Sequence, residues 1–340
     1  MPVAPQISLL LPVRNGAATL HEALDSLAQQ TFRDWECVIV DDGSRDETAE
    51  ICRRWTRCDP RFVLHSLLES RGVAGALQHA ASHARGALLG RQDADDRSRA
   101  DRLARQIDYL HTHPRCVAVA SRVHLFPPEA LTPGLRAYAR WLDETLTPDQ
   151  IAREIWVESP LPHPAALMRR EAFEACGGYR QGPWPEDYDL WLRLHLRGGR
   201  LGKVDACLYD WRHHLDRLTF RDPRYSPAAF LDCKLQHLLP ALSGRPLRIW
   251  GAGRDGRRLL RALRDRGADA RAFVDIDPRK IGRTRLGLPV ESPRAIDPSD
   301  VRERHEMLLV AVGTRGARAL IRARLERLGL HELDDFICLH

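Results

Sequence analysis

The chain has 340 residues, long enough for two hydrophobic cores, and 44% of them are hydrophobic, as in ordinary globular proteins. Its longest apolar runs, such as ISLLLPV and MLLVAV, fall far short of the roughly 20 residues that span a bilayer, which excludes a transmembrane helix. The net charge of +6 comes almost wholly from arginine, since the lysines are Lys203, Lys234 and Lys280 alone. These basic residues are spread along the chain without stacking aromatics between them. Nucleic acid is therefore not an expected partner, and an anionic small substrate or an acidic membrane surface suits the charge better. MPVAPQ at the N-terminus lacks the charged and then apolar build of a signal peptide. The eight cysteines fall singly, at 37, 52, 58, 116, 176, 207, 233 and 338, without a C-x-x-C pair or a histidine spacing suited to zinc. Both features lead us to expect reduced thiols and a cytoplasmic location.

From residue 7 the pattern alternates apolar strands with amphipathic helices. ISLLLPV is followed by a helix over 17–29, WECVIV by a helix over 46–57, FVLHS by a helix over 72–84, and then comes ALLGRQ. The order βαβαβαβ predicts an α/β fold with a parallel sheet covered on both faces. Residues 115–215 read as less regular, with FPPEALTPG as a loop and a helix near 135–144. A short strand, a helix and a Gly-Gly stop then follow in PLPHPAALMRREAFEACGGY, and PWPEDYDLW opens one more helix. A connecting region with a helix near 227–239 ends at SGRP.

Such sheets bind ligands beyond the carboxyl ends of their strands. Pro12, Arg14 and Asn15 follow the first strand, Asp41, Asp42, Gly43 and Ser44 the second, and Asp93, Asp95 and Asp96 the fourth. Three aspartates within four residues repel one another unless they are solvated or share a cation. An Asp-x-Asp pair at a strand end can hold magnesium or manganese, with phosphate oxygens completing the shell. A solvated loop, or an N-cap for the helix in RADRLARQIDYL, is the alternative.

Taken together, ISLLLPVRN, TFRDWECVIVDDGSRDET, RGVAGALQHA, GRQDADDRSRADRL and HPAALMRREAFEACGGY with PEDYDLWLRL resemble the family 2 glycosyltransferases, in that family's order, over roughly the first 215 residues. The resemblance implies a GT-A fold. It also implies metal-dependent, inverting transfer from a nucleoside diphosphate sugar to a hydroxyl of a glycan or lipid-linked acceptor, in bacterial surface glycan or glycolipid synthesis. By the same resemblance Pro12 and Arg14 line the nucleotide pocket, and Asp42, supported by Asp41, accepts a hydrogen bond from the base. A capped turn is the other reading of that pair. Arg71 would reach a phosphate, or would be an ordinary charge at a helix start. Asp93 and Asp95 together correspond to the family's metal and ribose ligands, both being candidates for the metal and Asp93 also for the nucleotide sugar, with Asp96 as a second partner. His163, Trp184 and Glu186 would border the acceptor, and Asp187 would be the catalytic base. Trp211, Arg212 and His214 fill an aromatic-Arg-x-His segment, whose Arg212 and His214 would touch the diphosphate or the metal. Arg14 stands where an aromatic is usual and Gln78 where an asparagine is usual, departures that bear on base and sugar preference.

The segment from 246 to 340 begins a second strand, glycine loop and helix. Gly251, Gly253 and Gly256 in GAGRDG, with Asp275 ending the next strand, have the spacing of a dinucleotide site. Alone this suggests an NAD-dependent oxidoreductase. However, 95 residues are too few for both a cofactor domain and a substrate domain, and no Tyr-x-x-x-Lys or histidine constellation accompanies the loop. We therefore expect a GT-A domain over 1–215, a helical connector over 216–245, and a small Rossmann-like accessory domain over 246–340 that senses a small ligand or mediates homo-oligomer assembly. NAD binding without hydride transfer stays open there. A non-catalytic nucleotide-binding protein is the third reading of the chain.

Overall fold

A computed structural model describes residues 4–214 and 217–340. The chain forms two compact units, one of Met1–Ile151 with Pro160–Tyr225 and one of Ala152–Ser159 with Ser226–His340.

The first unit carries an eight-stranded sheet built from β1 (Ile7–Val13), β2 (Trp35–Asp41), β3 (Phe62–Ser66), β4 (Leu88–Arg91), β5 (Arg97–Ser98), β6 (Cys116–Phe126), β7 (Leu167–Arg169) and β8 (Arg200–Arg212), in the order β3-β2-β1-β4-β7-β6-β8-β5. Its helices are α1 (Leu20–Ala28), α2 (Thr48–Cys58), α3 (Gly72–His83), α4 (Arg102–Thr112), α5 (Pro133–Glu144), α7 (Arg170–Ala175), α8 (Glu186–Leu196) and α9 (Leu218–Arg221), while α6 (Pro148–Glu154) runs from this unit's residues into the next. Every residue of β2 is buried, and β1 is buried except at half-buried Pro12, as expected of central strands covered on both faces. Helix α1 buries Leu20, Ala23, Leu24 and Leu27, an i, i+3, i+4, i+7 stripe that packs into the same core as Ile7, Leu9 and Leu11.

The four strands predicted first are parallel, with β1 between β2 and β4. The rest of the sheet departs from the expectation. Strand β7 is antiparallel to both β4 and β6, and β5 is antiparallel to β8, so the sheet is mixed. Residues 115–215, which read as irregular, contain the two longest strands of the unit, β6 and β8, paired in parallel. Their register shifts between Cys116 and Ala118 and on both sides of Arg122. Such bulges interrupt the period of two by which a strand is recognised in sequence.

The second unit has a six-stranded sheet of β9 (Leu247–Trp250), β10 (Ala272–Val274), β11 (Thr284–Arg285), β12 (Leu288–Glu291), β13 (Met307–Val310) and β14 (Phe336–Cys338), in the order β11-β12-β10-β9-β13-β14. All pairs are parallel except β11 with β12. Helices α10 (Pro227–Leu242), α11 (Arg254–Arg264), α12 (Pro298–Glu303) and α13 (Ala317–Arg327) accompany it. Trp250, Val274, Val301, Leu308, Leu325 and Phe336 are among its core. No helix among the described residues is long and apolar enough to cross a membrane.

Candidate active site

Because β1, β2 and β4 run parallel, the turns after them meet at one edge of the sheet. After β4 the chain forms the aspartate turn. Oxygens of Asp93, Asp95 and Asp96 all lie within 4.8 Å of one another. Asp93 Oδ1 takes a 2.5 Å bond from Arg91 Nη2, and Asp95 Oδ2 lies 3.0 Å from His214 Nε2. Asp96 is fully buried. One of its oxygens accepts the Arg212 N–H at 2.7 Å, and the other has no hydrogen-bond partner among the described residues. Burial, followed by the charges of Asp95 and Asp93, raises the Asp96 pKa above the usual carboxylate range. A converging set of hard oxygens that includes a buried, unpartnered one is suited to a divalent cation.

Buried side chains fix this turn from below. The Gln92 amide donates to the carbonyls of both Asp93 and Asp96, at 3.0 Å each, and so spans the turn. Gln92 Oε1 in turn accepts from Ser98 Oγ at 2.7 Å and Arg102 Nη1 at 3.1 Å. Arg102 is wholly buried and also donates to Ser98 Oγ and the Arg91 carbonyl, at 2.6 Å each. Burial without a bonded carboxylate lowers its pKa to about 10. The Tyr209 hydroxyl accepts the Asp93 N–H at 3.1 Å. Gln92, Arg102 and Tyr209 were not singled out from sequence, because a polar residue in a helix or strand looks solvent-facing until the fold buries it. Arg212 closes the turn from β8, with Nε on the Asp95 carbonyl and Nη2 on Glu22, both at 2.7 Å.

The first two strand ends are tied together. The Asn15 N–H donates to Ser44 Oγ, and Asn15 Oδ1 accepts from the Arg45 N–H. Asn15 adopts φ 52°, a left-handed conformation that asparagine tolerates better than most residues. Arg14 beside it is exposed. Asp41 accepts the Ser44 N–H at 3.0 Å, the turn contact expected of this sequence. Asp42 is almost fully buried and accepts from Ser70 Oγ, the Arg71 N–H and the Gly72 N–H, at 2.6, 2.7 and 3.0 Å. It thus caps α3 from the turn after β2, since Arg71 at the cap position makes no such bond itself. The exposed Arg71 side chain borders a cavity of about 320 Å³, also lined by Gln78, His79, Tyr179 and Gln181.

The acidic pair stands at the start of α8, where Pro185 is the cap residue. Glu186 is buried and accepts the Tyr225 hydroxyl at 2.9 Å. Its pKa is raised, first by burial. Asp187 is half-buried, and its charge reaches both Tyr179 and Tyr225. Buried Arg91 links this pair to the aspartate turn, since it feels the charges of Asp93 and Glu186. The Trp184 indole lies against Gly182, where a Cβ would come within 2.3 Å of a ring carbon. His163, expected beside an acceptor, is interior. Its Nε2 lies 2.7 Å from the Tyr179 hydroxyl, burial together with Arg91 pushes its pKa well down, and Tyr179 in turn lines the cavity.

The glycine loop of the second unit is built for close packing. Gly251 has φ 119°, and a Cβ on Gly256 would fall 1.7 Å from the Gly251 carbonyl oxygen, whereas nothing crowds Gly253. Asp275 accepts from the Ala252 N–H at 2.9 Å, the Asp277 N–H at 2.9 Å and Lys280 Nζ at 3.0 Å. Its carboxylate therefore holds its own loop together.

The aspartate turn thus lies at the carboxyl edge of parallel strands, and Arg91 couples it to the acidic start of α8. The chain belongs to glycosyl transferase family 2, whose model matches residues 8–177, and it is a glycosyltransferase. It is similar to EpsE of Bacillus subtilis (strain 168), at 30% identity over 226 residues, 65% of this chain and 78% of EpsE. It is also similar to the amylovoran biosynthesis glycosyltransferase AmsE of Erwinia amylovora, at 29% identity over 59% of this chain and 73% of AmsE. Among solved structures, the mannosyltransferase PcManGT of Pyrobaculum calidifontis, in complex with GDP-Man and Mn2+, matches with a TM-score of 0.50 and 22% identity. That match covers 71% of this chain and 64% of the mannosyltransferase, and it reflects a shared GT-A fold.

Proposed function

We propose that this glycosyltransferase moves a sugar from a nucleoside diphosphate sugar to an acceptor hydroxyl with inversion, in the synthesis of a bacterial surface glycan or glycolipid. The observation that carries the reading is the convergence of Asp93, Asp95 and Asp96 within 4.8 Å, with one Asp96 oxygen buried and unpartnered. Asp93 and Asp95 would hold magnesium or manganese, which supplies positive charge to the departing diphosphate. Mn2+ accompanies GDP-Man in the mannosyltransferase of similar fold. Arg212 and His214 sit on Asp95 and would steady the same group. Pro12, Arg14, Asp41 and Asp42 would shape the nucleotide pocket. Asp42 already takes three donors, which leaves about one of a carboxylate's roughly four lone-pair positions for a base N–H. Arg71 would meet a phosphate at the cavity mouth.

Asp187 would take the proton of the acceptor hydroxyl while that oxygen attacks the anomeric carbon on the face opposite the diphosphate. A helix N-terminus favours the ionised carboxylate this needs. Glu186 and Trp184 would orient the acceptor, a glycan or a lipid-linked sugar, with His163 acting behind Tyr179. The reaction would run on the cytoplasmic side, with peripheral contact to an acidic membrane face. The second unit would be a Rossmann-like accessory domain for ligand sensing or homo-oligomer assembly. Its Asp275 is committed to its own loop, so NAD chemistry is not part of the reading.

A thermal-shift screen of nucleoside diphosphate sugars with and without Mn2+, followed by NMR of the product's anomeric linkage, tests it. Stabilisation that requires the metal and an inverted linkage are expected. A retained configuration would remove the direct displacement.

A further inference from the structure

Away from the aspartate turn, three histidines meet on the first unit. His65 lies near the end of β3, and His79 and His83 are one turn apart on α3. Their ring centroids are 4.1 Å apart for His65 and His83, 4.4 Å for His79 and His83, and 5.6 Å for His65 and His79. One ring nitrogen from each lies within 4.8 Å of the others. We propose that His65, His79 and His83 form a transition-metal site of the zinc type, which fastens β3 to α3 on the flank of the cavity.

The pieces fit that role. Histidines at i and i+4 project from one helix face, and a third from an adjacent strand completes a triangle of imidazoles. His83 Nδ1 lies 2.9 Å from the His79 carbonyl, which only an N–H can approach as a hydrogen bond, so the lone pair is assigned to Nε2. This is the arrangement that orients metal-bound histidines elsewhere, a ring N–H held by a carbonyl so that the other nitrogen can bind. His65 and His79 are half-buried and His83 is exposed, so the site opens to solvent and a water can take the fourth position of a tetrahedral ion. Its ligand set is also chemically separate from the aspartate turn. Three imidazoles select zinc, copper, nickel or cobalt, whereas carboxylates select magnesium or manganese. His79 lines the cavity with Arg71 and Tyr179, so a metal here would hold α3 where it borders that space.

Untagged, metal-free full-length protein titrated with ZnCl2 in excess Mg2+ tests this, with Co2+ as a spectroscopic substitute. The expected result is one zinc site that Mg2+ does not displace, and the intense visible bands of tetrahedral Co2+. His79→Ala, and separately the exposed His83→Ala, should weaken Zn2+ binding by about 100-fold or more. Both variants should keep the wild-type circular dichroism spectrum. Zn2+ should raise the melting temperature of the wild type and not that of His83→Ala. Zinc displaced by Mg2+, or zinc affinity and Co2+ bands unchanged in His83→Ala, would overturn the proposal.

Discussion

The Tyr225 hydroxyl donates a 2.9 Å hydrogen bond to buried Glu186, at the start of the helix that carries Asp187. The bond favours the ionised form of Glu186, yet burial outweighs it and the pKa is raised from the ordinary 4.5. Between the unfolded and folded pKa values the unfolded chain has lost this proton and the folded chain has kept it. Stability from this group therefore falls as pH rises through that window. Glu186→Gln keeps an oxygen for Tyr225 and removes the charge. It should raise the urea midpoint at pH 7.5, with the gain disappearing toward pH 4. A gain that is larger at pH 4 would contradict the raised pKa.

Arg102 and Gln92 hold the aspartate turn without being expected to touch substrate. Arg102→Leu leaves Ser98, the Arg91 carbonyl and Gln92 Oε1 short of a donor and should cost about 3–5 kcal/mol by urea unfolding. Gln92→Ala releases both ends of the turn. It should weaken metal-dependent nucleotide binding by about 10–100-fold, the range for groups that orient metal ligands. Unchanged calorimetric affinity in Gln92→Ala would mean that the turn holds its shape without this clamp.

Asp95→Ala should abolish metal-dependent nucleoside diphosphate binding and leave the apoprotein at least as stable as wild type. The Asp95 charge presses on the buried Asp96 carboxyl, and its removal relieves that repulsion. Calorimetry showing wild-type affinity in the presence of Mn2+ would remove Asp95 from the metal site.

How far the sequence went depended on where each signal lay. The first four strands were legible because ISLLLPV and WECVIV are apolar runs bounded by turns, and the helix after each shows its stripe. That the carboxylates after them gather at one edge was legible because the turns that follow parallel strands fall on the same side of the sheet. Strands β6 and β8 were not, since bulges near Arg122 break their alternation. Gln92 and Arg102 were missed for a different reason, because only the packed fold shows that they are buried. The reading that no histidine spacing suits zinc is corrected by His79 and His83, an H-x3-H pair on α3 that stood out only once the fold brought His65 of β3 beside it. Asp42 was read for its turn chemistry, but its three-donor cap on α3 joins residues 28 to 30 positions apart, which no local motif encodes.

In the second unit, Gly256→Val forces a side chain into the Gly251 carbonyl and should cost about 1–3 kcal/mol or more. Hydrogen exchange should quicken across 246–340 while the first unit keeps its protection and some sugar transfer remains. Complete loss of transfer with the first unit intact would argue against an accessory role.

The most direct test of the central claim is the turnover of Asp187→Asn at saturating nucleotide sugar, with donor affinity measured in parallel. The substitution preserves size and removes the ability to take a proton. Donor affinity should stay within a few-fold of wild type, and turnover should fall by about 100-fold or more, the usual contribution of a positioned base. Turnover at the wild-type rate would contradict Asp187 as the base and, with it, the proposed displacement.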